Sequence, residues 1–379
     1  MNNIPSEHFK LDDNIFYLNH AAVSPWPTRT ETALIKFCHE NVTIGSKKYA
    51  NWLAVENHLK SQLAQLLNAS SVDEIALVKN TSEALSFVAY GLSWNQGDNI
   101  VTSDEEFPSN MIPWESLSEQ GVEVKKTVLK GVLDPTEALI QKMDEKTKLL
   151  TISSVQYSSG LRVDLDRLGE VCRQRNVLFC VDAIQSIGAF QFDVQRCQAD
   201  FVMADGHKWM FGPEGLGVFY CRKESIHKLS LTQFGWHMVE DMGNYDSPSW
   251  TVAESARRFE CGSPNMLSIH ALSASLSLLL EIGMDSIQRQ VVERGDYIIQ
   301  KIRQNKALEL LTKPDPEGNN IVVFKTMSSD NDELFNYLVA HNVICAKRGG
   351  GIRFSPHFYT GFDVIDKTFK FIDDFLSIS

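Results

Sequence analysis

The sequence predicts an α/β fold: a mainly parallel sheet flanked by helices, followed by a smaller α+β domain. Short apolar, β-branched runs alternate along the chain with stretches of helical periodicity, the pattern that builds right-handed crossovers onto a parallel sheet. The run Val177-Leu178-Phe179-Cys180-Val181 is continuously apolar and stops on Asp182, as a strand buried on both faces reads. A content of 43% hydrophobic and 22% charged residues over 379 positions suits a globular chain with a large core. That length favours one large domain and a smaller one over three.

The balance of charge narrows the partners. A net charge of −12 argues against nucleic acid, because neutralising phosphates takes clustered Lys and Arg. No apolar run reaches the length of a membrane helix. The opening residues Met1–Glu7 lack the basic and apolar regions of a signal peptide, so the chain is expected in the cytoplasm. Seven cysteines, an odd number, and ten histidines show neither C-x-x-C nor H-E-x-x-H spacing. A disulfide frame, a zinc site or any other metal site is therefore not expected.

In chain order, 1–20 reads as an N-terminal arm that ends in a short apolar run and turns at Asn19-His20-Ala21-Ala22. Thr30–Thr43 and Asn51–Leu67 carry apolar residues at helical spacing. Glu74–Val78 is a strand that passes at once into Asn80-Thr81-Ser82-Glu83, whose Asn80/Glu83 spacing is that of a capping box. A strand-to-helix turn exposing hydroxyls and backbone N–H groups can hold an anion; an ordinary capped helix is the bland reading. Asn99–Thr102 is the next strand, and Asp104–Trp114 opens a helix, where Glu105 and Glu106 read as a solvated helix start. Val122–Leu129 and Lys148–Ser154 are strands around a helix at Asp134–Lys142, and Leu165–Arg175 leads back to the Asp182 strand.

Asp200–Ala204 then delivers Gly206-His207-Lys208 to the same rim, and Gly215–Tyr220 is a glycine-punctuated strand that follows. Phe234–His237 and Asn244–Ser255 form an irregular, aromatic-rich segment, the kind that serves as a lid. The turn Gly262-Ser263-Pro264-Asn265 precedes long helices at Leu267–Leu280 and Asp285–Gln304. Ile321–Phe324, Asp332–His341 and Val343–Ala346 supply strand, helix and strand of the smaller unit. The large domain is thus set at 20–260 and the small one at 265–379.

Asp182 and Lys208 on adjacent strand ends suit one chemistry. A lysine can form a Schiff base with pyridoxal phosphate while an acid keeps the ring nitrogen protonated. A plain Asp–Lys ion pair is the bland alternative. Arg353, in Ile352-Arg353-Phe354-Ser355, offers a planar fork for a carboxylate, with Arg348 as runner-up.

The ordered elements Asp182–Ala189, Ala199-Asp200-Phe201, Gly206-His207-Lys208 and Gly212-Pro213 resemble the class V aminotransferase family of pyridoxal-phosphate enzymes. That resemblance runs from Tyr17 to Tyr359. It implies fold type I, with its seven-stranded type of sheet, and a homodimer whose active sites lie at the interface. It implies that Lys208 carries the cofactor, Asp182 pairs with the pyridine nitrogen and Gln185 bonds the ring hydroxyl. Thr81 and Ser82 would hold the phosphate, Phe107 would stack on the ring, and His207 would brace ring or phosphate. Ser263 would reach the partner's cofactor phosphate. Arg353 would clamp the α-carboxylate of a small amino-acid substrate, with Asn19 and His20 as substrate neighbours. Asp205 stands where many relatives have a phosphate-binding hydroxyl, so its carboxylate has to point away.

Two departures bear on the reaction. Desulfurases place His where Phe107 stands, and carry a catalytic Cys on a mobile loop, whereas Cys345 sits in an apolar strand. The expectation is therefore chemistry at the α-carbon of an amino acid: transamination, epimerisation or β-elimination. Cysteine desulfuration or selenocysteine lysis is the alternative. A catalytically inactive scaffold or regulator is the reading of another class.

Overall fold

The computed structural model describes residues 8–327 and 330–378. Its first half alternates strand and helix: β1 (Phe16–Tyr17), α1 (Thr28–Ile44), α2 (Tyr49–Leu67), β2 (Ile75–Val78), α3 (Thr81–Gly91), β3 (Asn99–Ser103), α4 (Ile112–Glu115), β4 (Glu123–Thr127), α5 (Pro135–Lys142), β5 (Thr147–Ser153), α6 (Leu165–Gln174), β6 (Leu178–Asp182), β7 (Phe201–Asp205) and β8 (Gly217–Cys221). There follow α7 (Met266–Ile282), α8 (Met284–Gln304), β9 (Leu308–Leu310), β10 (Val322–Thr326), α9 (Asn331–Ala340), β11 (Val343–Ile344), β12 (Ala346–Arg348), β13 (Gly351–Phe354) and α10 (Phe362–Ile378).

Seven strands form the central sheet in the order β2-β8-β7-β6-β5-β3-β4. Only β8 runs against its neighbours, pairing antiparallel with both β2 and β7. The predicted mainly parallel sheet flanked by helices is present. Residues of β5, β6, β7 and β8 are buried almost without exception, because helices cover both faces of such a sheet. A four-stranded antiparallel sheet, β12-β13-β10-β9, forms the smaller unit with α9 and α10.

Two elements go beyond the sequence expectations, β9 and α10. The latter places Ile365, Phe369, Ile372 and Phe375 in the core of the smaller unit. The opening arm pairs in parallel with β11, Phe16 against Val343 and Tyr17 against Ile344, so it is stitched to the last quarter of the chain. The aromatic-rich segment is held down by a buried charge cluster. Lys60 of α2 lies 2.8 Å from Glu260 and 3.3 Å from Glu56, with His237 facing both carboxylates at 3.4 and 3.7 Å. Among the described residues, no single helix is long and apolar enough to cross a membrane.

Candidate active site

The carboxyl ends of the parallel strands converge, as expected for a ligand site in an open α/β sheet. Asp182 closes β6, and Lys208 lies three residues beyond the end of β7. Asp182 is 2% exposed, and one carboxylate oxygen accepts from the Ile184 N–H at 3.0 Å. Burial pushes its carboxyl up from the ordinary range, and the buried charge of Glu106 adds to this; the Ile184 amide and Lys208 pull it back. Burial moves the Lys208 amine down, opposed by Asp182 and reinforced by Arg353. Carboxylate, amine and guanidinium thus share one field, and a lysine desolvated in this way can shed the proton that blocks nucleophilic attack.

The Lys208 nitrogen sits 5.6 Å from the centroid of the Phe107 ring. Phe107 is 42% exposed and meets Tyr157 edge-on, the centroids 5.0 Å apart. Its position is set by the residue before it. Glu106 is buried, not solvated as the sequence suggested. It accepts from Ser153 N and Oγ at 2.9 and 2.5 Å, Gln156 Nε2 at 2.6 Å, Asn110 Nδ2 at 2.7 Å and Ser103 Oγ at 3.2 Å. A carboxylate that joins the ends of β3 and β5 in this way pins the loop that presents Phe107. The expected helix start over Asp104–Trp114 is only a 3₁₀ turn at Pro108–Asn110 followed by α4.

At the other end, β2 passes into α3, where Asn80 caps by accepting from the Glu83 N–H at 2.9 Å. Thr81 Oγ1 accepts from the Asp205 amide at 3.1 Å, and Ser82 Oγ donates to Ser109 Oγ at 2.9 Å. The Asp205 carboxylate turns to His207 Nδ1 at 3.0 Å, an ion-pair distance without hydrogen-bond alignment. His207 therefore braces Asp205 within this chain.

The N-terminal arm lies across these loops. Ser24 N donates to His207 O at 2.9 Å, and Gln185 Nε2 donates to Ala21 O at 3.1 Å. The Gln185 side-chain oxygen accepts from Trp209 Nε1 at 2.8 Å, so this amide is engaged on both sides. A side chain at Gly188 (φ +97°) would stand 2.3 Å from Trp209 O; only glycine lets this turn abut the residue after Lys208.

Arg353 of β13 is 2% exposed. Its Nη1 donates to Tyr157 O at 2.7 Å and its Nη2 to Asn19 Oδ1 at 3.4 Å, while Nε has no partner. It forms no ion pair among the described residues, and burial, with Arg348 adding to it, brings it down to about 10. A buried guanidinium with two neutral acceptors and an unused N–H is a ready carboxylate receptor.

His20 is completely buried, with Nδ1 2.8 Å from Ser355 O and Nε2 2.8 Å from Tyr359 Oη. It joins the arm to the segment after β13 and is already saturated. Burial drives it down to about 4 and likewise drives the adjacent His357 well below its ordinary value. Both are neutral when folded, so the stability they lend is present above pH 6.5 and lost as pH falls toward 4. For His20 alone this amounts to about 2 kcal/mol between pH 7 and pH 5. In denaturant titrations at the two pH values, His20→Gln should lose that part of the slope; an unchanged slope would contradict it. Ser263 is exposed in the turn before α7, in a cleft that Asn80, Glu83 and Gly215 also line; it is not brought to Lys208 in this chain. Cys345 is buried and its thiol is pushed up to about 12.

Residues 16–356 match the profile described as Aminotransferase class-V. The chain belongs to the class V aminotransferase family. Its cofactor is pyridoxal 5′-phosphate, and it falls among the enzymes of that family. A curated relative from Methanothermobacter thermautotrophicus, named as a probable cysteine desulfurase, is 30% identical over 346 residues, 89% of this chain and 84% of that protein. Two solved structures share the fold. The apo cysteine desulfurase of Thermococcus onnurineus has a TM-score of 0.86 at 23% identity, covering 97% of this chain and 96% of that one. A cystine C-S lyase, solved with its product cysteine persulfide, has a TM-score of 0.88 at 22% identity, covering 95% and 98%. The residues present fit the cofactor. They comprise a half-buried, desolvated amine that shares a field with a buried acid, an exposed flat ring over that amine, and a capped helix end carrying Thr81 and Ser82.

Proposed function

We propose that this class V enzyme acts at the α-carbon of a small amino acid, with Lys208 as covalent attachment point and proton acceptor. The observation that carries the reading is the shared field of Lys208, Asp182 and Arg353, with the guanidinium buried and lacking an acid partner. When bound, pyridoxal phosphate supplies the electron sink for charge that develops at the α-carbon. Asp182 would meet the ring nitrogen and keep it cationic, while Thr81, Ser82 and the first turn of α3 would hold the phosphate. Phe107 would cover one face of the ring and keep water from it. Arg353 fixes the α-carboxylate with Asn19 beside it, and the depressed Lys208 amine takes the α-proton. Gln185, engaged by Ala21 and Trp209, would present its amide to the ring hydroxyl, and His207, against Asp205, would brace the ring or phosphate. The active form is a homodimer in which Ser263 enters the second copy's site.

Once the proton has left, transamination, epimerisation and β-elimination diverge according to what the substrate's β-carbon carries. Cysteine desulfuration is the second reading, favoured by the name of the 30%-identical relative. Against it stand the burial and raised pKa of Cys345, since the attacking species in sulfur transfer is a thiolate. Incubating the holoenzyme with single amino acids separates these outcomes, following keto acid, sulfide, alanine and optical rotation. Arg353→Gln should raise KM about 10- to 100-fold, the value of a charge-assisted carboxylate contact. An unaltered KM would remove Arg353 from the substrate site.

A further inference from the structure

Beside the clamp lies a second cation that the α-carboxylate does not use. β12 and β13 form a tight hairpin in register Ala346↔Arg353, Lys347↔Ile352 and Arg348↔Gly351. Side chains alternate across a strand, so Arg348 and Arg353 project from one face and Lys347 from the other. Lys347 confirms the alternation: its ammonium lies 2.7 Å from Asp332 of α9. Gly349 and Gly350 make the connection with φ of +62° and +82°, the left-handed pair of a two-residue hairpin turn. A side chain at Gly349 would stand 2.2 Å from Ser158 O. The turn is thereby pressed against the loop whose Tyr157 carbonyl accepts from Arg353.

Arg348 is exposed. Its Nη1 donates to the Lys347 carbonyl at 2.8 Å, and it has no ion pair among the described residues. Its charge reaches Arg353, lowering that guanidinium's pKa. Two like charges therefore share one face of a short hairpin, neither of them ion-paired among the described residues, in a chain with 48 acidic and 36 basic residues. Such an arrangement is costly until an anion enters, and the entering anion relieves the repulsion as well as gaining contacts. An amino acid's α-carboxylate satisfies only Arg353.

We propose that the substrate carries a second anionic group on its side chain, which Arg348 receives at the mouth of the site while Arg353 holds the α-carboxylate. The inference rests on the Arg353 assignment above and names the substrate class as acidic amino acids. Carboxylate and sulfinate side chains share the chemistry, and chain length decides which one reaches.

The test uses the holoenzyme and matched pairs: L-aspartate with L-asparagine, L-glutamate with L-glutamine, and L-cysteinesulfinate as the sulfinate arm. Binding is read from the shift in cofactor absorbance and turnover from product release. The native enzyme should prefer at least one acid over its amide by about 10-fold or more in kcat/KM. R348Q should collapse that ratio, chiefly through KM of the acid, and R348K should restore part of it. Because Arg348 is exposed, the substitution should not disturb folding. Equal use of acids and amides by the native enzyme, or an equal loss for both in R348Q, would overturn the inference. The Arg353 reading fails separately, as an Arg353→Gln variant whose KM for the amides matches the native value. If no amino acid shifts the absorbance, both are overturned.

Discussion

Lys208→Ala should leave a protein that folds and no longer retains its cofactor covalently. Borohydride reduction of the native enzyme, followed by digestion and mass spectrometry, should place the cofactor on the peptide that contains Lys208; the variant should carry none. Turnover should fall by about 10³-fold or more, because the proposed mechanism makes one side chain both the tether and the base. The physical ground is the microenvironment of the amine. Burial lowers its pKa, Asp182 holds it in place electrostatically, and the Phe107 ring shields it. Full labelling of the alanine variant would move the attachment point elsewhere and remove the basis of the site.

Asp182→Asn should separate stability from activity. In the cofactor-free protein, Asp182 is a carboxylate forced into a dry place near the charge of Glu106. A carboxyl whose pKa is raised on folding lends stability at low pH and loses it as pH rises through the folded value. The neutral amide should therefore make the cofactor-free protein melt higher, and the gain should grow with pH above the ordinary carboxylate range. With cofactor present the order reverses. The amide cannot hold the ring nitrogen cationic, and kcat should fall by about 10²- to 10⁴-fold. Thermal melts of both forms at pH 4 and pH 8, with single-turnover rates, check the pair. An Asn variant that matches the native rate would dissociate Asp182 from the electron sink.

Much of the frame was legible because it is written in local chemistry. Val177–Val181 ending on Asp182 gave the position of a central strand and the residue at its rim, and Asn80 with Glu83 marked the start of α3. Helix α10 went unread, although Phe362, Ile365, Phe369, Ile372 and Phe375 repeat at helical spacing. Glu106 is different in kind. Two adjacent glutamates before a proline read as a solvated turn, and nothing nearby in sequence reveals that Ser153 and Gln156 converge on one of them from more than 40 residues away.

What the chain's own letters determined was a strand-ended acid, a lysine at the same rim and an arginine far downstream, because residue type and periodicity act over a few positions. Only the tertiary structure decided that His20 is saturated inside the core, that Glu106 anchors Phe107 and that Arg348 shares a face with Arg353. Burial and pairing depend on which distant segments meet. The free energy of a charged or polar group is set by those neighbours, not by its place in the sequence.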